Sequence, residues 1–152
     1  MTYLATIFKA AKFVGVSGHL LAAICFTESH FQNVMVEDDG NGPSYGICQV
    51  KLDTAHHMDE MFNHKNPATA ERLMDPYSNA FYAAKFVKYQ LARYGGSERM
   101  AIDAYNRGYC QNSNSKYVKQ VIKSMKRLFP DYESELTKTS IQLRIPINRK
   151  VK

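Results

Sequence analysis

The sequence predicts a single, mainly α-helical domain, and three observations lead to this fold class. The chain has 152 residues, which is long enough for one domain to bury a core of its own. Its hydrophobic fraction of 45% and charged fraction of 22% are ordinary for a globular protein. Most of its apolar residues recur at spacings of three and four, which is the period of an α-helix.

Two helices and a long loop are predicted in the first third of the chain. Residues 2–14 carry apolar side chains on one helical face, and a glycine-containing break follows. Ser17 is expected to cap the second helix, which contains Glu28 near its end. Residues 33–44 are rich in Asp, Asn, Gly and Pro, which predicts a turn-rich loop. Residues 45–55 then lead into another helix.

Four more helices are predicted further along the chain. A short one follows Thr69, and the strongest helical pattern covers residues 79–94. Ser97 is expected to cap the next helix, and Ser115 begins the last one, which Pro130 ends.

A change of pattern near residue 133 separates a predicted helical domain, residues 1–132, from a basic tail, residues 133–152. Within the tail, apolar residues at positions 141, 143, 145 and 147 alternate with other residues. This alternation predicts a short edge strand.

The net charge of +6 favours an anionic partner, such as nucleic acid, an anionic membrane or an anionic cell wall. The sequence contains no zinc-finger spacing, no basic zipper and no aromatic RNA-binding run. Nucleic acid is therefore not the expected partner. The apolar run at residues 20–26 is too short to span a bilayer, so no transmembrane segment is predicted.

Three cysteines cannot form a complete disulfide framework. Cys25 and Cys48 lie in apolar contexts, and we expect both to pack as small hydrophobic side chains. Free thiols at these positions and at Cys110 would indicate synthesis in a reducing compartment.

Glu28 is the strongest candidate for a catalytic residue. It shares a helical face with Leu20, Leu21 and Ile24, so its carboxyl group is expected to be partly buried. Burial disfavours the ionised form and raises a carboxyl pKa, which suits a general acid that works near neutral pH. The alternative is a glutamate at a helix end whose carboxylate lies in water.

A metal site is not predicted. The histidines at positions 56, 57 and 64 lie near Asp59 and Glu60, but they lack the H-E-x-x-H spacing of a zinc site. We expect these residues to form a polar helix surface instead. The acidic loop at residues 37–39 lacks the ligand pattern of a calcium loop.

Four short motifs occur in order: Glu28-Ser29, a segment from Ser44 to Gln49, an Ala-Tyr-Asn at residues 104–106, and Tyr117-Val118. In this order the motifs resemble those of the soluble lytic transglycosylases, lysozyme-like enzymes that cut peptidoglycan. The resemblance covers residues 19–121. Three features depart from the usual pattern: Cys48 stands where Met is common, the loop before Gly46 is acidic and glycine-rich, and Arg107 replaces a small residue.

The resemblance implies a goose-type or transglycosylase-like helical fold, in which Glu28 is the general acid and base. It also implies that Ser29 supports the site, and that Ser29 and Ser44 brace the loop rather than touch sugar. The substrate-binding residues that it implies are Ser44, Tyr45, Gln49, Tyr105, Asn106 and Tyr117. No cofactor or metal is expected, and the implied partner is a peptidoglycan glycan strand bound by a monomer.

The implied reaction cuts the MurNAc–GlcNAc β-1,4 bond and forms a 1,6-anhydro ring on MurNAc. One alternative is a hydrolytic goose-type muramidase, in which Asp38, Asp39 or Asp53 positions a water molecule. The other is a non-catalytic basic domain that binds nucleic acid or wall polymer.

The first residues do not form the pattern of a signal peptide, because Lys9 and Lys12 interrupt the apolar residues. Synthesis in the cytoplasm and action on the cell wall or in the periplasm are therefore expected. Delivery by a phage, either in its virion or as an endolysin, would suit such a protein.

Overall fold

The computed structural model describes residues 3–37 and 41–137, and in this part of the chain seven α-helices enclose the core. The elements are, in chain order, α1 (Leu4–Val14), α2 (Gly18–Ser29), β1 (Met35–Val36), β2 (Ser44–Tyr45), β3 (Val50–Lys51), α3 (Leu52–Met61), α4 (Ala70–Leu73), α5 (Pro76–Arg93), α6 (Glu98–Arg107), α7 (Lys116–Leu128) and a 3₁₀ turn (Glu135–Thr137). The mainly helical fold predicted from the sequence is therefore confirmed.

Polar side chains cap the helices where the sequence predicted them. Ser17, Thr69, Ser97 and Ser115 each accept a hydrogen bond from the backbone N–H three residues further on. The strongest helical pattern covers residues 79–94, and α5 begins earlier, at Pro76. Asp75 caps this helix and a proline occupies its first position, so the whole Pro-initiated turn belongs to the helix.

Helix α2 lies at the centre of the domain. Its residues 20–25 are all buried, because α1 packs against one side and α7 against another. A helix that is apolar all round is typical of such a position. Helix α5 packs against α1, α6 and α3 and completes the core with small alanine side chains. The carboxyl end of α2, which carries Glu28, is thereby held by several elements.

The segment predicted as a turn-rich loop contains part of a small sheet. Strands β1, β2 and β3 form an antiparallel sheet in that order, with Met35 opposite Tyr45 and Ser44 opposite Lys51. The prediction missed these strands because each has only two residues. Asp38 and Asp39 lie outside the described residues.

The prediction of free thiols at Cys25 and Cys48 is wrong, because these residues form a disulfide. Both side chains are completely buried, as their apolar contexts indicated. The error was to treat burial as evidence against bonding: α2 and the turn before β3 meet in the core and bring the two residues together. Cys110 is free and half-buried.

The expected polar helix surface includes the exposed His56, His57 and Glu60, but the expectation is wrong for Asp59. This aspartate is buried, and it accepts hydrogen bonds from the Tyr82 hydroxyl at 2.5 Å and the Ala68 N–H at 2.8 Å. It also lies 2.9 Å from Nδ1 of His64. Asp59 therefore ties α3 to α5 and to the segment before α4. Within residues 3–37 and 41–137, no group of three or more His, Cys, Asp or Glu side chains could hold a metal ion.

The end of the described chain packs onto the domain. Leu136 in the 3₁₀ turn is buried, and this turn contacts α7. The predicted strand at residues 141–147 lies outside the described residues. Among the described helices, none is both long and apolar enough to cross a membrane.

The disulfide predicts that denatured protein exposes one reactive thiol rather than three. Titration with a thiol reagent in guanidinium should detect Cys110 alone, and all three cysteines after reduction. Replacing Cys25 and Cys48 together by Ala should lower the free energy of unfolding by about 2–4 kcal/mol, measured by chemical denaturation. Three reactive thiols before reduction would contradict the pairing.

Candidate active site

Glu28 lies in the last turn of α2, half-buried in the wall of a cleft. The cleft has a volume of about 690 Å³, which is large enough for sugar residues. Its lining residues lie between positions 28 and 108 of the chain. The predicted site residues among its lining are Glu28, Ser44, Gln49, Asp53, Tyr105 and Asn106.

The carboxyl group of Glu28 is held by Tyr117 of α7. The Tyr117 hydroxyl donates a hydrogen bond of 2.5 Å to Oε2 of Glu28. Burial raises the pKa of Glu28, while this hydrogen bond and the positive charge of Lys51 lower it. Burial has the largest effect, so the pKa of Glu28 lies above its usual value. The group is thereby suited to donate a proton near neutral pH.

Ser29 braces the loop that faces Glu28. Its hydroxyl donates a hydrogen bond of 2.6 Å to the Ile47 carbonyl and accepts one of 3.1 Å from the Gln32 N–H. The Cys25–Cys48 disulfide joins the same two segments one helical turn earlier. The end of α2 and the turn at residues 46–49 therefore form one connected unit.

The turn at residues 46–49 depends on Gly46 and on Asn79 of α5. Gly46 has a φ of +82°, and an added Cβ would lie 2.4 Å from Nδ2 of Asn79. Asn79 is fully buried and donates hydrogen bonds to the Tyr45 and Leu73 carbonyls at 2.6 and 2.8 Å. It also accepts a hydrogen bond of 2.8 Å from the Cys48 N–H. A side chain at position 46 would break this arrangement.

Gln49 lines the cleft, but its side-chain amide nitrogen makes hydrogen bonds to the backbone. This nitrogen donates hydrogen bonds to the Gly46 carbonyl at 2.9 Å and the Val34 carbonyl at 3.0 Å. The backbone of Gln49 has a φ of +52°, which is uncommon for a residue with a side chain. Such conformations persist where the surroundings enforce them and are frequent at functional sites.

The two predicted ligands on α6 differ in their freedom to contact sugar. Tyr105 is 8% exposed, and its hydroxyl donates a hydrogen bond of 2.7 Å to the Cys48 carbonyl. Its hydroxyl is therefore committed to the fold, although the residue lines the cleft. Asn106 is exposed and lines the same cleft. Among the described residues, Tyr45 and Tyr117 do not line it.

Two charged residues at the site were missed by the sequence reasoning. Lys51 lines the cleft near Glu28, and its ammonium group donates hydrogen bonds to the Gly42 carbonyl at 3.1 Å and the Ser44 hydroxyl at 3.3 Å. Asp103, which is completely buried in α6, forms an ion pair with Arg107 at 3.0 Å. The i, i+4 spacing of Asp103 and Arg107 was the available signal.

Other carboxyl groups also reach the cleft. Asp53, in the first turn of α3, and Glu37, beside β1, are both exposed and line it. Asp53 was considered from the sequence as a water-positioning residue, whereas Glu37 was considered only as part of a cation site. Asp38 and Asp39 follow Glu37 directly but are not described.

Comparison with known proteins identifies the family. The family model of the transglycosylase SLT domain matches residues 5–128. The chain belongs to this family of transglycosylase domains, as the motifs indicated. No curated protein matches the sequence.

Solved structures of lytic transglycosylases share the fold. An inactive mutant of the lytic transglycosylase Slt from Pseudomonas aeruginosa is 22% identical, with a TM-score of 0.62 over 82% of this chain and 21% of its own. The 70 kDa soluble lytic transglycosylase from Escherichia coli is 20% identical, with a TM-score of 0.69 over 87% of this chain. Its complex with bulgecin A gives a TM-score of 0.70 at the same identity. The chain spans about a quarter or less of the length of these proteins.

The raised pKa of Glu28 predicts how stability changes in the variant Glu28→Gln. In the unfolded chain a glutamate ionises near pH 4.3, whereas the folded state resists ionisation of Glu28 above that pH. Wild-type protein therefore loses stability as the pH rises through this range, and the glutamine variant does not. The variant should be more stable than wild type at pH 7, with a smaller difference at pH 4.

Chemical denaturation at the two pH values measures this difference. Glu71→Gln, at an exposed position of α4, controls for the substitution itself. The raised pKa of Glu28 would be contradicted if the Glu28→Gln variant were less stable than wild type at pH 7, or if its gain in stability were greater at pH 4 than at pH 7.

Proposed function

We propose that this chain is a peptidoglycan lytic transglycosylase that cuts the MurNAc–GlcNAc β-1,4 bond with Glu28 as its general acid and base. The observation that carries the proposal is the half-buried Glu28, with its raised pKa, in the cleft of a transglycosylase SLT domain. Motif residues from α2, β2, the turn at residues 46–49 and α6 line this cleft, and Tyr117 of the fourth motif, in α7, contacts Glu28.

In the first step, protonated Glu28 donates its proton to the oxygen that bridges the two sugars. The bond between this oxygen and the anomeric carbon of MurNAc breaks, and its electron pair remains on the departing oxygen of GlcNAc. The positive charge that develops at the anomeric carbon is met by the acetamido oxygen of the same MurNAc. Glu28 is now ionised, and the Tyr117 hydroxyl stabilises its carboxylate through the 2.5 Å hydrogen bond.

In the second step, Glu28 acts as the base. It takes the proton of the C6 hydroxyl of MurNAc, whose oxygen attacks the anomeric carbon and displaces the acetamido oxygen. The product is a 1,6-anhydro ring, and Glu28 returns to its protonated form. One carboxyl group suffices and no water is consumed, unlike in glycoside hydrolysis, which normally uses two carboxyl groups.

The remaining polar groups of the cleft hold the substrate in this scheme. Asn106 is exposed and offers both a donor and an acceptor to sugar hydroxyl and amide groups. Gln49 has its carbonyl oxygen for the same purpose, since its nitrogen is used in the turn. Tyr105 contributes a small area to the cleft wall and holds the turn at residues 46–49 through its hydrogen bond to the Cys48 carbonyl.

A hydrolytic muramidase is the second candidate, because Glu37 and Asp53 also line the cleft. Either group could accept a proton from a water molecule in an inverting reaction, which requires carboxyl groups about 6.5–9.5 Å apart. Both are exposed, however, and among the residues that the structure describes, neither has a hydrogen bond of the kind that Tyr117 makes to Glu28. The transglycosylase route needs no such partner.

We also propose that the protein acts outside the reducing cytoplasm, at the cell wall. The Cys25–Cys48 disulfide supports this, because structural disulfides persist in oxidising compartments. The net charge of +6 would favour binding to an anionic wall.

The decisive difference between the two enzymatic candidates is the sugar end that they produce. Purified peptidoglycan should be digested, and half of the products treated with borohydride before mass spectrometry. The proposal predicts new ends that are one water lighter than hydrolytic ends and that borohydride does not reduce.

Glu28→Gln is the matched control, because it keeps the shape of the side chain without a transferable proton. Its digestion rate should fall by about a hundredfold or more. New ends that gain mass on reduction would establish hydrolysis, and full activity of the glutamine variant would remove Glu28 from the reaction.

A further inference from the structure

Asp103 collects more hydrogen bonds than a surface ion pair would need. Its carboxylate accepts from Nε of Arg107 at 3.0 and 3.1 Å, from the N–H groups of Gln111 and Asn112 at 2.8 and 3.0 Å, and from the Ser115 hydroxyl at 2.7 Å. The carboxyl group is fully buried. Burial alone would raise the pKa of Asp103, but these hydrogen bonds hold the pKa well below its usual value.

The hydrogen bond between Asp103 and Ser115 connects Asp103 to Glu28 through the first turn of α7. Ser115 is the N-cap of α7, and its hydroxyl accepts a hydrogen bond of 3.2 Å from the Val118 N–H. Tyr117 lies in this first turn of α7, between Ser115 and Val118 in the sequence. Its hydroxyl donates the 2.5 Å hydrogen bond to Glu28. The position of the Tyr117 ring therefore depends on where α7 begins.

The other hydrogen bonds fix the end of α6 and the loop after it. Arg107 lines the cleft next to Asn106, and its Nη1 donates a hydrogen bond of 2.8 Å to Oε1 of Gln111. Residues 108–115 connect this helix end to the start of α7. One buried carboxylate thus fixes both ends of the loop that joins two helices of the site.

We propose that Asp103 is a positioning residue, which holds Tyr117 in hydrogen-bonding contact with Glu28 by fixing Ser115 and the start of α7. The inference deepens the proposed function and rests on it for the role of Glu28. Asp103 does not line the cleft and acts through Tyr117. An asparagine at position 103 would supply one acceptor oxygen and a donor nitrogen where four groups donate.

Several charged and titratable groups face Glu28 and bear on the test. The Tyr117 hydroxyl of α7 donates a hydrogen bond to it, and Tyr105 of α6 and Lys51 of β3 interact with it electrostatically. Glu37, Asp53 and Arg107 share the cleft. Asp103→Asn removes the negative charge paired with Arg107. Loss of that charge would favour ionised Glu28 and lower its pKa, so a raised pKa reports on the contact with Tyr117.

The test measures the pKa of Glu28 by carboxyl ¹³C NMR, with the resonance assigned by its loss in Glu28→Gln. Tyr117→Phe should raise this pKa, because the hydroxyl that lowers it is gone. Asp103→Asn should also raise the pKa of Glu28. The double variant should raise it no further than Tyr117→Phe alone, since both changes remove the same contact. On peptidoglycan, Asp103→Asn should slow digestion by about ten- to a hundredfold.

Asp59→Asn is the matched structural control. Asp59 is also buried and also accepts hydrogen bonds from a tyrosine hydroxyl and a backbone N–H, but it ties α3 to α5. Its loss should lower the melting temperature and leave the pKa of Glu28 unchanged. An unchanged Glu28 pKa in either Asp103→Asn or Tyr117→Phe would overturn the proposal.

A second pair of variants covers the case in which Asp103→Asn does not fold. Ser115→Ala breaks the same connection and should raise the pKa of Glu28, whereas Ser115→Thr keeps the hydroxyl and should restore it. Equal pKa values in these two variants would also overturn the proposal. Because NMR titration needs no substrate, its outcome is separate from the proposed function, which the product analysis tests.

Discussion

The hydrogen bond between the Tyr117 hydroxyl and the Glu28 carboxyl group joins α7 to α2 through two residues that lie 89 positions apart in the chain. It requires α7 to pack against α2 and to begin at a fixed residue, and it requires Glu28 to remain at the cleft wall. The Ser115 cap of α7, the buried Asp103 and the packing of α2 against α7 all help to position the two groups. A small error in any of them would move the hydroxyl away from the carboxyl group.

The environment of Glu28 balances two opposed demands. A group that first donates and then accepts a proton works best when neither form is strongly favoured. Burial favours the protonated form, while Tyr117 and the charge of Lys51 favour the ionised form. The disulfide and Ser29 hold the facing turn at residues 46–49 in place beside the end of α2. This rigidity supports the proposed chemistry at a single carboxyl group.

Local signals predicted the helices, and long-range contacts explain what they could not predict. Caps such as Ser17 and Ser115 depend on residues three positions away, so the sequence shows them directly. The motifs predicted that Glu28 and Asn106 share a site, and both residues line the cleft. The disulfide and the buried Asn79 depend on partners from distant segments, whereas Asp103 depends on the conformation of the loop that follows α6. Their sequence contexts look like those of ordinary apolar or polar helix residues.

The most direct test of a reaction with one carboxyl group and no water is to follow the solvent oxygen. Peptidoglycan should be digested in water enriched in ¹⁸O, and the newly formed MurNAc ends analysed by mass spectrometry. The proposed mechanism predicts that these ends contain no ¹⁸O, because the C6 oxygen of the substrate closes the ring. One ¹⁸O atom at each new end would show that water is the nucleophile, and it would contradict the proposed mechanism.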